Sequence, residues 1–449
     1  MRRRGSFDRW SSILSGASGV ALVFSALAAV APARAAGSPP GSPSAPALAP
    51  RRLSAALPWS GENRQRLDEL IARHGKSSPG YRAARPPVAT FDWDNTLMRN
   101  DVGDATVFYA LRTDQVLQPP RRDWRLVNPY LTPAGAAALA AACDAAAAPG
   151  QPLPTSREAA CATEIVTVYL DGRTTSGQAA FAGADLRRIE PAYAFGVQLL
   201  GGHSAAEVRK LASLAIAEGL AAPEGKTQTV GQRAGLAGWL RLYEQQRDLV
   251  TTLRDNGFAV WVVSASPQPV VEVAAERLGF PAERTLGVRL LERDGRFTYD
   301  LKGCGDVPDG RNTGRANTGN AVITYVDGKR CFINQEIFGV TGRAAFARGA
   351  PERRPVLAAG DADTDVTMLK DAALRLVINR NQVELMCSAY HNADGGWLIN
   401  PMFIAPLKQR PAPYPCATRG CRDSHGAVGP CRDEAGAVIP DQTDRVFAP

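Results

Sequence analysis

The stretch VATFDWDNTLMRND, residues 88–101, ends a short apolar run in two carboxylates, Asp92 and Asp94, with Thr96 just behind them. Carboxylates this close repel one another unless a cation or a shared proton relieves them. Far along the chain, GDADTD supplies Asp361, Asp363 and Asp365 after a second apolar run. A carboxylate held in line can attack phosphorus and form an aspartyl-phosphate, provided the phosphoryl charge is neutralised. For that chemistry Asp92, first off its strand, is the candidate nucleophile. Asp94 is the acid that protonates the leaving oxygen and then takes a proton from the hydrolytic water. Ser264 in VVSAS can donate a hydroxyl to the phosphoryl group, and Thr96 is assigned to the same role. The fixed positive charge falls to Lys329 in VDGKRCFIN, with Lys302 in DLKGC as its rival. Acids gathered in this way ask for Mg²⁺, which takes hard oxygen ligands and retains waters. Asp92 and Asp361 would ligate directly, Asp94 through its backbone carbonyl and Asp365 through water or as a support, with Asp363 competing for that last place.

Several apolar runs must bring these residues together. PPVATFD reads as a buried strand bounded by prolines, FAVWVVSAS as a second, RPVLAAG as a third and LRLVIN as a fourth. SGENRQRLDELIARHG, 60–75, offers a Ser N-cap, a helical pattern and a Gly stop. GLAGWLRLYEQQRDLVTTLRDNG, 235–257, places Leu236, Trp239, Leu240 and Tyr243 at helical spacing, continues through Val250 and Leu253, and ends at Gly257. PQPVVEVAAERLGF is a helix with prolines in its first turn. RTLGVRLLERDGRFTYDL reads as two short strands about an Asp-Gly turn, and GKRCFINQEIFG opens another helix. From 103 to 235 the chain is Ala-rich and helical, broken by QPPRRDW and APGQPLPTS, without a repeat. Strands alternating with helices predict a mainly parallel α/β sheet, whose reactive groups collect at the carboxyl ends of strands. Asp92, Asp94, Ser264 and Asp361 all stand at such ends.

With these residues in order, the chain resembles the haloacid dehalogenase (HAD) superfamily. FDWDNT, VWVVSAS, GKRCFIN and GDADTD look like its four motifs. More closely they look like its phosphoserine phosphatase-like branch, which includes exported bacterial phosphorylcholine phosphatases. The resemblance covers about 86–100 and 235–400. It implies a Rossmann-like parallel sheet flanked by helices, with an inserted helical cap domain. It also implies Asp92 as nucleophile, Asp94 as acid/base, Ser264 and Lys329 as phosphate ligands, and Asp361 and Asp365 at Mg²⁺. True dehalogenases lack an acid at the second position, so Asp94 speaks against dehalogenation. The core then comprises 59–102 and 236–410, the cap 103–235, and a Cys/Pro-rich irregular tail 411–449.

The chain has 449 residues, 45% hydrophobic and 21% charged, enough for one large domain with an insertion or for two domains. Residues 1–35 read as a signal peptide: a basic head, the apolar stretch ILSGASGVALVFSALAAVAP, and ARA before a cut after Ala35. An uncleaved anchor is the alternative. Residues 36–58 form a Pro/Ser/Gly-rich linker expected to be disordered. Export to the periplasm or beyond follows. No later run reaches the roughly 20 apolar residues of a spanning helix, so no stable membrane insertion is expected after signal removal. About half of the formal +8 sits in the leader, as Arg2, Arg3, Arg4, Arg9 and Arg34 against Asp8. What remains is mild, without a basic stripe interleaved with aromatics, and argues against a nucleic-acid partner.

Eight cysteines in an exported chain are expected to be mostly paired. Proximity favours Cys143–Cys161, Cys304–Cys331, and pairing of Cys387, Cys416, Cys421 and Cys431 among themselves. Zinc binding at 416–431 with His425 is the alternative, although the spacing matches no standard finger. Trp124, Tyr130, Tyr169, Tyr193 and Trp239 lie in or beside the cap, where they either meet a quaternary ammonium group or simply pack. Asn100, Asp101 and Asp104 either face the substrate or cap a helix. His74, His203 and His391 read as helix-end or loop residues. The expected function is a Mg²⁺-dependent phosphomonoesterase acting on a small phosphomonoester, phosphocholine or phosphoserine-like. The alternative is a non-catalytic exported protein that keeps the acids to bind metal or phosphate. Asp94 speaks against it, because binding alone needs no leaving-group acid.

Overall fold

A computed structural model describes residues 49–310 and 321–446, so the expected signal peptide and linker residues 36–48 lie outside the described residues. The rest of the expected linker is tied down, contrary to the sequence expectation. The Leu53 and Ser54 amides donate to Asp68 at 2.9 Å and Asp248 at 2.7 Å, and Arg51 pairs with Asp248 and Asp255. Helix α1 (Asn63–His74) begins beyond Ser60, whose carbonyl rather than hydroxyl accepts the Asn63 amide at 3.1 Å. Strand β1 (Val88–Phe91) and the short β2 (Met98–Arg99) follow. The segment expected to form a cap holds helices α2 (Val102–Arg112), α3 (Pro133–Cys143), α4 (Ala159–Asp171), α5 (Pro191–Gln198) and α6 (Ala205–Ala221).

The helix expected over 235–257 is only half there. A hairpin of β3 (Thr227–Val230) and β4 (Arg233–Ala237) runs into its start, and β5 (Arg241–Leu242) pairs antiparallel with β2. Helix α7 is confined to Glu244–Asp255. Gly235 takes φ +77°, and the Leu240 and Tyr243 amides donate to Gly219 and Leu97 carbonyls at 2.8 and 3.0 Å. Donors that helical continuation would need are therefore engaged elsewhere. Leu240 and Tyr243 are buried as the apolar stripe requires, but from extended chain.

Strand β6 (Ala259–Pro267), helix α8 (Gln268–Ala275) and strand β7 (Thr285–Val288) come next. Strands β8 (Leu290–Arg293) and β9 (Arg296–Leu301) form a hairpin whose turn residues, Asp294 and Gly295, both have positive φ. That pairing of φ values suits a two-residue hairpin loop. The chain then runs through α9 (Asp327–Phe332), β10 (Leu357–Gly360), α10 (Val366–Asp371), β11 (Leu374–Asn379), α11 (Val383–His391) and β12 (Trp397–Pro401). Strands β13 (Cys421–Arg422) and β14 (Val428–Gly429) make a small tail hairpin.

The main sheet is parallel throughout, in the order β12-β11-β10-β1-β6-β7. Every residue of β1, β7, β10 and β11 is buried, as a sheet covered on both faces requires. The edge strand β12 was not anticipated, and β7 belongs to this sheet rather than to the hairpin. Helices α2 and α6 pack on one another and on α8, which fastens the inserted helices to the sheet.

All eight cysteines are paired: Cys143–Cys161, Cys304–Cys331, Cys387–Cys416 and Cys421–Cys431. The zinc alternative at 416–431 therefore has no free thiolate to offer. In the tail, CRDSHGAVGP (421–430) is followed directly by CRDEAGAVIP (431–440), a tandem decapeptide that the sequence reading missed. Asp423 accepts the His425 and Ala427 amides at 2.8 and 2.9 Å, and Asp433 accepts those of Ala435 and Ala437 at 3.0 and 2.9 Å. Two like turns thus stand side by side, joined by a disulfide between their first residues. No helix among the described residues is long and apolar enough to cross a membrane.

Candidate active site

The sheet order reverses at β1, the place where open α/β sheets form a crevice beyond their carboxyl ends. Phe91 lies in register with both Ala359 and Val262, so the chain leaves three adjacent strands at one level. Asp92 is anchored there by its amide, which donates to the Ala359 carbonyl at 2.9 Å. Between the two aspartates, Trp93 turns fully into the core, edge-on to Phe280 at 6.5 Å. Asn95 and Asn100 then reverse the chain with φ of +59° and +70°, and the Asn95 side chain accepts the Asn100 amide at 3.0 Å. Asparagine tolerates such values better than most residues.

Asp92, Asp361 and Asp365 are buried and offer oxygens that lie within 4.8 Å of one another. The fully buried Lys329 donates to Asp92 Oδ1 and to Asp365 Oδ1, both at 2.6 Å. Thr96 donates to Asp361 Oδ1 at 2.7 Å and approaches Asp92 Oδ2 at 3.4 Å. Arg380 holds the other Asp361 oxygen at 2.6 Å. Asp365 Oδ2 accepts the Asp361 and Ala362 amides at 3.0 and 3.1 Å. Burial raises the Asp92 pKa well above the usual carboxylate value, Asp365 adds to the rise, and Lys329 opposes it. Burial also raises Asp361, against the pull of Arg380. Lys329 is held above its ordinary range, because Asp365 and Asp92 outweigh the burial that pulls it down. Two fixed cations thus face three carboxylates, and an arriving phosphoryl dianion would deepen the deficit. A hard divalent cation matches this all-oxygen donor set and would correct the balance.

Asp94 keeps separate company. Its Oδ1 accepts the Val102 amide at 2.7 Å, and its Oδ2 accepts the Ser266 hydroxyl at 2.7 Å, with Ser264 at 3.4 Å. Burial, with Asp101 second, raises its pKa well above the ordinary value. A carboxyl whose hold on its proton is strengthened by burial and which lines a pocket is suited to protonating a leaving group. Asp92, Asp94, Asp361 and Arg380 all line that pocket, of about 560 Å³.

The remaining sequence candidates are distributed as follows. Ser264 is fully buried, and its hydroxyl accepts the Ser266 amide at 3.1 Å, while Ser266 itself lines the pocket. Lys302 pairs with Asp309 at 3.3 Å and does not line the pocket. Asp363 accepts the Leu385 amide at 2.9 Å, and burial pushes its pKa to about 6. Asp101 caps α2 by accepting the Asp104 amide at 2.9 Å, as the capping alternative expected, and it also lines the pocket. Tyr169 and Tyr193 line the pocket too, and the Tyr169 hydroxyl donates to Asp104 at 2.7 Å. Trp124 and Tyr130 are packed in the core, and Trp239 takes the Arg99 and Arg241 guanidinium groups over its ring. Sequence reasoning missed Ser266 and Arg380. The first stood two places beyond the expected serine. The second is a lone arginine just past β11, a strand end like the other three.

Residues 175–370 match the family model described as haloacid dehalogenase-like hydrolase. That stretch holds Ser264, Lys329, Asp361 and Asp365 and begins beyond Asp92 and Asp94. No curated protein matches the chain. Among solved structures, the chain is similar to a conserved functionally unknown protein from Anaerococcus prevotii DSM 20548. The identity is 20% and the TM-score 0.52, over 77% of this chain and 93% of that one. A protein of unknown function from Bordetella pertussis Tohama I matches at 17% identity and TM-score 0.39, over 70% of this chain and 98% of that one. A substrate-bound phosphoserine phosphatase matches at 15% identity and TM-score 0.31, over 65% and 85%. The parallel six-stranded sheet with helices on both faces is the Rossmann-like α/β fold of the haloacid dehalogenase-like hydrolases.

Proposed function

We propose that the protein is an exported phosphomonoesterase that works through a phosphoryl group on Asp92 and requires Mg²⁺. The observation that carries this reading is the division of labour among the acids. Asp92, Asp361 and Asp365 cluster together, held by Lys329, Thr96 and Arg380, whereas Asp94 stands on its own hydroxyl and amide donors beside them. Binding alone gives no reason for that fourth acid.

In this reading an Asp92 oxygen attacks phosphorus while the bond from phosphorus to the leaving oxygen breaks. Asp94 gives its proton to that oxygen, and the alcohol departs. Asp94, now a carboxylate, takes a proton from water as the water oxygen attacks phosphorus, which frees Asp92 and releases inorganic phosphate. Lys329 fixes the orientation of Asp92 and Asp365, Thr96 orients Asp361, and Ser266 with Ser264 orients Asp94. Mg²⁺ held by Asp92, Asp361 and Asp365, with Asp94 contributing its backbone carbonyl, would neutralise charge on the phosphoryl oxygens.

The four disulfides accord with an oxidising compartment and so with the exported state. Asp101, Tyr169 and Tyr193 at the pocket wall suit a leaving group that carries an amine or quaternary ammonium, as in phosphocholine or a phosphoserine-like ester. The test is release of p-nitrophenol from p-nitrophenyl phosphate with Mg²⁺, with EDTA, and with Asp92→Asn. Turnover only in the first case is expected. Equal rates in all three would leave a non-catalytic metal- or phosphate-binding protein.

A further inference from the structure

The tail that carries the tandem decapeptide is fixed to the core at several points. Cys387–Cys416 fastens it to α11, and Cys421–Cys431 locks its two turns together. Glu384, itself buried, accepts from Arg187 at 2.7 Å and from the Arg422 amide at 3.4 Å, and Arg187 also donates to the Arg422 carbonyl at 3.3 Å. The backbone of Arg422 is thereby fixed on both sides, while its side chain is exposed. Arg410 lies over the Tyr414 ring at 4.9 Å, and the Arg419 amide donates to the Pro415 carbonyl at 3.0 Å.

Arg410, Arg419 and Arg422 line one cleft of about 1310 Å³. That cleft adjoins the candidate active-site pocket, since Tyr193, Ala362, Thr364 and Arg380 line both. Its other charges are largely matched: Arg187 pairs with Glu384 and Arg380 with Asp361. No carboxylate among the described residues pairs with the guanidinium groups of Arg410, Arg419 or Arg422. Arg410 and Arg419 thus have no ion-paired carboxylate and Arg422 only the longer-range pull of Glu190, while the cleft's one remaining carboxylate, Asp363, already accepts the Leu385 amide with its Oδ1. Planar guanidinium forks bind carboxylate and phosphate oxygens in pairs.

We propose that this cleft is a subsite for a second anionic group on the substrate, a carboxylate or another phosphate, with the stapled tail supplying Arg419 and Arg422 and the end of the core supplying Arg410. The inference rests on the phosphomonoesterase reading and narrows its substrate class to esters whose alcohol carries its own negative charge. The tail thus sets specificity from outside the stretch that matches the family model.

The test is calorimetric titration of the Mg²⁺-loaded Asp92→Asn protein with two matched pairs of ligands. O-Phosphoserine and phosphoethanolamine differ by a carboxylate; propane-1,3-diol bisphosphate and 3-hydroxypropyl phosphate differ by a phosphate. The doubly anionic member of at least one pair is expected to bind about tenfold more tightly, the scale of one charge-assisted hydrogen-bond pair. That preference is expected to fall towards unity when Arg419→Ala and Arg422→Ala are added. Which pair shows it identifies the anion. Equal binding within both pairs, or a preference that survives the double substitution, overturns the subsite. Hydrolysis of p-nitrophenyl phosphate by the unsubstituted protein, measured alongside, reports on the phosphatase reading separately, because the titration needs no turnover.

Discussion

The Lys329 ammonium lies 2.6 Å from Asp92 Oδ1 and equally close to Asp365, with none of its side chain exposed to solvent. A charge buried this deeply is tolerated only because it is paired, and removing one partner strands the others. Lys329→Met should therefore cost the metal-free protein about 3–5 kcal/mol, the range for breaking a buried ion pair. Urea unfolding with and without Mg²⁺ checks this. The loss should shrink when the cation is present, because Asp92 and Asp365 then have another counter-charge. A loss that is the same in both conditions would mean that the acids do not share a cation.

Asp94 gives a prediction that depends on the leaving group. An alkoxide needs a proton to depart and p-nitrophenolate does not. Asp94→Asn should lower kcat on an alkyl phosphate by about 10²–10⁴, the usual worth of a positioned acid. With p-nitrophenyl phosphate the first step should survive and the second should stall for want of a base. Rapid-mixing kinetics should then show a stoichiometric burst of nitrophenolate followed by slow turnover.

The acids of this site were legible in the sequence because their placement is local. Each ends an apolar run, and a parallel sheet carries such ends to one edge whatever lies between them. The pairing within the Cys143–Cys161 and Cys304–Cys331 regions was legible for a similar reason, since short loops close most readily. What failed depended on partners distant in the chain. Residues 235–243 have helical spacing, yet the Leu240 and Tyr243 amides are engaged by Gly219 and Leu97, far from them in the sequence. Arg51, Leu53 and Ser54 sat in what looked like a linker, and their partners are Asp68, Asp248 and Asp255. Arg380 is a single arginine whose importance appears only when Asp361 is beside it.

Metal removal should be visible without any assay of turnover. The carboxylates of Asp92, Asp361 and Asp365 form a site only in the folded chain, so Mg²⁺ should raise the melting temperature of the EDTA-stripped protein. At a concentration about a hundred times its Kd the gain is about 2.7 kcal/mol. Asp361→Asn should weaken this gain, whereas Lys302→Ala should not, since Lys302 pairs with Asp309 outside the cluster. Differential scanning calorimetry over a Mg²⁺ series decides it. A melting temperature indifferent to Mg²⁺ would remove the metal from the reading.

Asp104 should make the protein less stable as the solution becomes less acidic. Burial, with Asp101 second, pushes its pKa from 3.8 up to about 7. Folded protein therefore holds a proton on Asp104 that the unfolded chain has released, and the sign follows from linkage. The stabilising contribution is fully present below about 3.8 and is lost as pH rises through about 7. Its size is on the order of 4 kcal/mol across that window, taking ~1.36 kcal/mol per pKa unit. Asp104→Asn keeps an acceptor for the Tyr169 hydroxyl and cannot ionise, so its stability should fall less steeply with pH. Denaturant unfolding of both proteins at intervals from pH 4 to 7.5 measures the difference in slope. Parallel curves would show that the Asp104 carboxyl ionises in the folded state as freely as in water.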